Sequence, residues 1–398
     1  MKTSWVTKRL GDLGEIVRGK GIRRSETVPK GNPCLRYGEI YTNFNYVLDE
    51  PCSFVPEQIY RECPHIKYGD VVFSLTGENK EEIAKALAYL GEDEVAAGGD
   101  LAIWTNHRCD AKFLAYIMYA PAMIAAKAHA SNGDIIVHAS VKKMQQIEIP
   151  VPPLAEQKRI VAKIDAAFEK IDKLKANAER NLANAKELFQ SALNDAMRPK
   201  PGWVVKRLGE VCESVLGKML DRQKNKGNPE KYLRNVNVRW GTFDLSDLYE
   251  MGFENDEQER YGLRSGDLVM CEGGEPGRCA VWTGTPATMK FQKALHRIRC
   301  GNTIDPYYLY YYFRNISCSG VLQSYFAGRD ATIKHLTGQL LKRVKIVFPS
   351  IEEQLQIVER LDRESKLCSR LQSNYTRLMA DCAEMRQVVL KEAFEGRL

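Results

Sequence analysis

Four short stretches carry residue types that could do chemistry. Glu272-Gly273-Gly274-Glu275-Pro276-Gly277-Arg278 is a glycine-rich loop of the kind whose backbone can cradle phosphate. It lacks the Gly-Lys-Ser/Thr of a P-loop, and its acidic residues would repel phosphate. Cys63-Pro64-His65 with Cys52 offers thiols and an imidazole. Their spacing matches no zinc pattern, so buried thiols are the favoured reading. His138 and His335 recur in register, each beside a short β-like run. Repetition in both halves favours a structural hydrogen bond over an external contact. No carboxylate–lysine cluster of the nuclease type stands out.

The fourth stretch, Asp305-Pro306-Tyr307-Tyr308, comes near the Asp-Pro-Pro-Tyr motif of amino-methyltransferases. The second proline is missing, and no glycine fingerprint for a methyl donor follows a strand. The better reading is a helix N-terminus, with proline at its first position and an aromatic run facing the core. On these grounds the chain is expected to be non-catalytic and to bind no metal or cofactor.

The elements that must position such residues are dominated by two long amphipathic segments. After Ile147-Glu148-Ile149-Pro150-Val151-Pro152-Pro153-Leu154-Ala155-Glu156-Gln157 there is no glycine or proline until Pro199. Apolar residues fall at Val161, Ile164, Phe168, Ile171, Ala178, Leu182, Ala185, Phe189 and Ala192, with Lys175 in the one missing position. Alternating steps of three and four describe a heptad seam that needs a partner helix. Roughly 40 residues at 1.5 Å each make a rod of about 60 Å. The partner is expected in the same chain. Val344-Lys345-Ile346-Val347-Phe348-Pro349-Ser350-Ile351-Glu352-Glu353-Gln354 precedes a second seam: Val358, Leu361, Cys368, Leu371, Tyr375, Leu378, Cys382, Met385 and Val389. Ser350 and Glu353 have the spacing of a reciprocal capping box. Prolines 152 and 153 mark the first start instead.

The whole chain reads as one unit written twice. Trp5-Val6-Thr7-Lys8-Arg9-Leu10-Gly11-Asp12-Leu13 recurs as Trp203-Val204-Val205-Lys206-Arg207-Leu208-Gly209-Glu210-Val211, and Leu35-Arg36-Tyr37 as Leu233-Arg234-Asn235. Gly69-Asp70-Val71 matches Gly266-Asp267-Leu268, and Ile136-Val137-His138 matches Ile333-Lys334-His335. The offset stays at roughly 197 residues, far longer than a solenoid repeat. Strands are expected at Asp70–Leu75, Leu101–Thr105, Leu268–Cys271, Ala280–Thr283 and His296–Arg299, and helices at Lys112–Ala128 and Pro306–Phe313. Without βαβ alternation the fold class is α+β. The expected division is 1–150 globular, 151–198 helical, 199–348 globular and 349–398 helical. The two helices should pair antiparallel between the globular domains, giving the chain an internal pseudo-two-fold repeat.

At 398 residues, more than one domain is expected. The net charge of +7 suits a polyanionic partner. The first residues, Met1-Lys2-Thr3-Ser4-Trp5, show no apolar signal core, and no apolar run is long enough to span a bilayer. Eleven cysteines, none spaced as CxxC, read as reduced thiols in a cytoplasmic protein.

The repeated Trp5–Leu13 motif, the Pro153-Leu154-Ala155-Glu156-Gln157 and Ser350-Ile351-Glu352-Glu353-Gln354 pair, Leu233-Arg234-Asn235-Val236-Asn237-Val238 and the closing Leu390-to-Leu398 helix carry a resemblance covering essentially the whole chain. It resembles the specificity subunit of type I restriction–modification systems. The resemblance implies two target recognition domains, each reading half of an asymmetric bipartite double-stranded DNA site. It implies helices that set the gap and dock two methyltransferase subunits. S-adenosylmethionine, ATP and Mg would belong to the methyltransferase and restriction/translocase partners, and no membrane is involved.

DNA contacts are then expected from loop residues able to hold phosphates or read base edges. In the first half these are Arg18, Lys20, Arg23, Arg24, Arg36, Asn79, Lys80, Ser131 and Asn132. In the second they are Lys218, Arg222, Arg234, Asn235, Asn237, Arg239, Arg278, Lys290, Gln292, Lys293 and Arg329. Two rival readings remain: a DNA methyltransferase acting alone, and a coiled-coil adaptor between protein-binding domains. The first requires S-adenosylmethionine binding by the isolated chain. The second predicts DNA binding without sequence preference.

Overall fold

A computed structural model describes residues 5–133, 136–221, 223, 225–327 and 334–398. The chain divides into two compact units. Unit 1 is Met1–Arg180 with Tyr375–Leu398, and unit 2 is Asn181–Asn374. Each unit therefore takes a globular half plus a stretch of each long helix.

In unit 1 a five-stranded sheet runs in the order Glu15–Arg18, Leu101–Thr105, Val71–Ser74, Ala86–Tyr89, Tyr46–Leu48, with only the last pair parallel. All four residues of Val71–Ser74 are buried, because both faces of this sheet are covered. Val71 and Phe73 join Trp104, Phe113 and the long-helix residues Ile164, Phe168 and Phe394 on one face. Val72, Leu87 and Ile103 pack on the other, towards Leu35, Ile66 and Val95 of a second, four-stranded sheet. In unit 2 the corresponding sheet is Cys212–Leu216, Leu295–Cys300, Leu268–Cys271, Cys279–Val281. Leu268, Met270 and Ile298 face Tyr308, Phe313, Phe189 and Leu361. The expected mixed α+β class and the repeat are both present.

The duplicated sequence motifs form duplicated structure. Val6–Arg9 pairs antiparallel with Glu148–Val151, and Val204–Arg207 with Lys345–Phe348. The start of each repeat is thus zipped to the strand that leads into its long helix. These helices run over Leu154–Ala196 and Ile351–Phe394.

The glutamine of each Glu-Gln motif then fixes the helix against its globular body. Gln157 is 3% exposed and Gln354 is fully buried. The Gln157 carbonyl accepts from Asp110 N–H at 2.8 Å, while its amide donates to Pro152 O at 2.9 Å. Gln354 accepts from Asp305 N–H at 2.8 Å and donates to Thr303 O at 2.9 Å and Pro349 O at 3.0 Å. Asp110 and Asp305 are themselves N-caps of the helices Ala111–Ile117 and Pro306–Cys318. About two turns further along, Tyr116 donates to Asp165 at 2.5 Å and Tyr311 to Asp362 at 2.7 Å.

Five expectations need correction. The single helix expected over Lys112–Ala128 is two, Ala111–Ile117 and Pro121–Ala130. Pro121 has no N–H to donate, and Ala120 before it is extended at ψ 144°. The strand expected at Ala280–Thr283 is Cys279–Val281. The capping box at Ser350 is one-sided. Glu353 N–H reaches Ser350 Oγ at 3.4 Å, while the Glu353 carboxylate lies 3.2 Å from Lys200 Nζ. The second seam does not run through Met385, which is 43% exposed. Arg386 takes its place, with its guanidinium 4.5 Å from the Phe168 ring centre and ion-paired to Asp172. Leu193, fully buried, likewise replaces the partly buried Ala192 on the first seam.

Replacing Gln157 by Ala leaves a buried N–H and a buried carbonyl without partners, a cost of about 1–3 kcal/mol for each stranded group. Thermal unfolding with hydrogen exchange should show Gln157→Ala loosening the Asp110–Ile117 helix of unit 1 while protection of Pro306–Cys318 in unit 2 is unchanged. Gln354→Ala should do the reverse.

Candidate nucleic-acid interface

Five of the first-half candidates converge. Arg18, Lys20, Arg23, Arg24 and Arg36 line one open cleft in unit 1 with a volume of about 1170 Å³. The cleft is built by the end of the strand Glu15–Arg18, the loop after it and the short helix Tyr37–Thr42. Gly19 makes the crossing possible: a Cβ there would stand 2.0 Å from Gly98 O. Some of this charge is already engaged. Lys20 pairs with Glu62 at 2.7 Å, Arg36 with Glu39 at 3.1 Å, and Arg18 donates to Gly99 O at 3.2 Å. Arg23 and Arg24 are exposed and make no side-chain ion pair among the described residues. They are the cations most available to a polyanion.

Tyr37 also lines this cleft and is 43% exposed. Sequence reasoning passed over it, treating Leu35-Arg36-Tyr37 only as a mark of the repeat. An exposed aromatic face among cations is a stacking or sugar-packing surface for a nucleotide.

The other first-half candidates lie on a different element. A three-stranded sheet joins Ser131–Asn132, Val137–Ala139 and Thr76–Gly77, and the turn bearing Asn79 and Lys80 follows its last strand. Asn79 accepts from Glu82 N–H at 2.8 Å, Asn132 accepts from Lys143 at 3.3 Å, and Ser131 is buried with its hydroxyl on Ala128 O. Tyr41 links this sheet to the cleft, because its hydroxyl meets Ser74 Oγ at 2.7 Å and Thr76 O at 3.1 Å. His138 Nδ1 lies 3.2 Å from Thr76 Oγ1, as a structural role requires. His335 sits over Gly273, where a Cβ would come within 2.9 Å of its ring. The repeated histidines therefore occupy matching places, but among the described residues only His138 has a hydroxyl to bond.

In unit 2 the candidates separate into a scaffold and a surface. Lys218, Asn237 and Lys290 are 6%, 2% and 4% exposed, which corrects their expected place in open loops. Lys218 donates to Gly252 O and to the carboxylates of Glu254 and Glu257. Burial alone would lower its pKa, but the two carboxylates raise it above the ordinary lysine value. Asn237 bonds Asp244 O and Asp247 O, and Lys290 bonds Gln258 at 2.7 Å. Arg234 stacks on Tyr249 at 3.7 Å and pairs with Asp247 at 2.6 Å. Arg278 binds Asn235 O and Oδ1 and pairs with Glu275 at 2.8 Å. Asn235 in turn donates to Gly273 O at 2.6 Å, and Gly274 and Gly277 take positive φ. Asn235 and Arg278 thus brace the glycine-rich loop, while Arg234 is held against Tyr249 and Asp247. The expectation that they present free ends outward is corrected in the same way. What remains at the surface is the exposed Arg239 on the strand Val238–Arg239, and the exposed Lys293 with the half-exposed Gln292 on the turn between Lys290–Phe291 and Leu295–Cys300. Gln292 makes no side-chain hydrogen bond among the described residues. Arg222 and Arg329 lie outside the described residues.

No group of three or more His, Cys, Asp or Glu able to hold a metal is found among the described residues. His65 is engaged by Tyr60 O at 2.9 Å and Glu94 at 3.4 Å, and Cys52 by Asn43. Asp305 caps the Tyr307 and Tyr308 amides at 2.9 Å, as the helix-terminus reading requires. Among the described residues no helix is long and apolar enough to cross a membrane.

Lys127 lies beneath the segment that carries Asn79 and Lys80. It is 2% exposed, donates to Ala84 O at 3.1 Å, and burial lowers its pKa to about 7. Below pH 7 the folded and unfolded chains both bind its proton. Between about pH 7 and the ordinary value of 10.5, the unfolded chain binds the extra proton, so raising the pH stabilises the fold. Lys127→Met should therefore raise Tm most at pH 6. It should also flatten the rise in Tm between pH 6 and 9 that the unmodified chain shows. Parallel Tm profiles for the two proteins would contradict this.

Comparison with known proteins completes the description. A family model described as the type I restriction modification DNA specificity domain matches residues 2–182 and again 200–375. The EcoKI type I restriction enzyme specificity subunit of Escherichia coli K12 is 23% identical over 99% of this chain and 89% of its own length. The StySPI specificity subunit of Salmonella potsdam is 22% identical over the same shares. Among solved structures, a chain from a study of complex assembly and conformational transition of the type I R-M system superposes with a TM-score of 0.78. It is 20% identical, covering 100% of this chain and 99% of that one. The HsdS subunit of Thermoanaerobacter tengcongensis gives 0.67 at 19% identity, covering 100% and 98%.

Proposed function

Because this chain belongs to the type I restriction–modification DNA specificity family, with two copies of the family's domain, we propose that it is the sequence-reading subunit of a methyltransferase assembly. Each unit reads one half of an asymmetric bipartite site on double-stranded DNA. The long helices set the gap and dock two methyltransferase subunits, and restriction/translocase subunits complete the complex in the cytoplasm. The subunit itself performs no chemistry. S-adenosylmethionine, ATP and Mg serve the partners.

The observation that carries this reading is the convergence of Arg18, Lys20, Arg23, Arg24 and Arg36 on one cleft in unit 1. Arginines on phosphates supply affinity and register, and side chains at base edges supply sequence preference. In unit 2, Gln292 has an amide able to bond adenine through two groups, with Lys293 beside it for a phosphate. The glycine-rich loop braced by Arg278 and Asn235 supports such a reader, since its Glu272 N–H donates to Ala294 O at 2.9 Å on the turn that carries Gln292.

Selection of bound duplexes from a randomised library, using the chain assembled with its methyltransferase subunits, tests this. The unmodified complex should enrich one two-part motif with a fixed gap. Gln292→Ala should relax one half of the motif and leave the other intact. Arg23→Ala with Arg24→Ala should weaken binding to all sequences and reduce the salt slope by about two, near 0.9 per phosphate contact. Equal loss at both halves from Gln292→Ala would contradict independent readers.

A further inference from the structure

Resting on the DNA-reading role above, we infer that Met219 and Leu220 form an apolar reading tip that contacts the 5-methyl group of a thymine in the half-site of unit 2. They are 57% and 53% exposed, two consecutive large apolar side chains held in water. Their stem is stiff. The preceding residue, Lys218, is buried and tied to Gly252 O, Glu254 and Glu257. On the far side Asn225 donates from its side chain to Met219 O at 3.1 Å and from its backbone to Asp221 O at 2.9 Å. A buried cation spent on anchoring a surface loop, rather than on solvent, marks the loop's position as one that the fold specifies.

The stem also fixes what lies next to the tip. Lys218 N–H donates to Phe291 O at 3.2 Å, and Lys293 N–H donates to Lys218 O at 2.8 Å. The tip therefore adjoins Gln292 and Lys293, the amide and cation left at the surface of unit 2. Amide, cation and apolar contact are the three chemistries that an adenine edge, a phosphate and a thymine methyl respectively demand. In unit 1 Gly19-Lys20 stands at the same offset as Gly217-Lys218, and the residues that follow it are Gly21 and Ile22, of which Ile22 packs on Cys34 and Val55 instead. The tip is thus a feature of one reader only, as two different half-sites require.

Replacing thymine by deoxyuridine removes the methyl group and nothing else. The half-site is first obtained by the library selection, and each thymine in the unit 2 half is then replaced singly. Binding of the assembled complex is measured for the unmodified chain and for Met219→Ala, Leu220→Ala and Gln292→Ala. Deoxyuridine at one position should weaken the unmodified complex about three- to tenfold, the scale of one buried methyl group. That sensitivity should vanish in Met219→Ala or Leu220→Ala and persist in Gln292→Ala. Indifference to deoxyuridine at every position would overturn the inference while leaving the DNA-reading role standing, and so would sensitivity retained in both tip variants. Failure of both tip variants to assemble with the methyltransferase subunits would assign the tip to a protein contact and overturn it too. Absence of any sequence preference in the unmodified complex would remove the DNA-reading role itself, and this inference with it.

Discussion

Everything that this chain presents to a partner depends on one buried amide in each unit. Gln157 and Gln354 each accept from the N-cap residue of a short helix and donate back to the strand that leads into the long helix. A primary amide is suited to the place because it can accept and donate at once, with no charge to bury. A glutamate there could not donate, and an alanine would strand both groups. The bond sets the direction in which the long helix leaves its globular body. On the proposed reading, that direction is what turns two separate readers into a measuring device.

The two units use the same frame for different surfaces. The zipped strands, the glutamine, the N-cap aspartate and the Tyr–Asp bond recur in both. The loops above that frame diverge. Unit 1 offers a cleft of cations around Tyr37, some of them tethered to glutamates. Unit 2 has turned its matching cations, Lys218 and Arg234, inward. These, with Arg278, are consumed by carboxylates and carbonyls. A duplicated scaffold with unlike surfaces fits the asymmetric site proposed for it.

Much of the scaffold was legible in the sequence. Seam residues from Val161 to Phe189 are buried with the exception of the partly buried Leu182, and the repeated motifs mark matching strands and helix starts. What was not legible depends on tertiary partners. A heptad count puts Met385 on the seam. The structure puts Arg386 there because Phe168 and Asp172 together satisfy a guanidinium that no apolar pattern anticipates. Lysines at 218 and 290 look like surface cations until Glu254, Glu257 and Gln258 arrive from distant strands and turns. Polar residues near one another in a loop do not reveal which are shaping it and which are offered to a ligand. Tyr37 shows the converse, an aromatic residue that the sequence marks only as part of the repeat and the fold leaves facing a basic cleft.

The most direct test is single-base mapping of adenine methylation in cells that carry this gene with its methyltransferase partner, compared with cells from which this gene alone is deleted. The account predicts that methylation disappears from one asymmetric two-part motif with a fixed unspecified gap and is otherwise unchanged. An unchanged methylome in cells where the partner methyltransferase is active would contradict it.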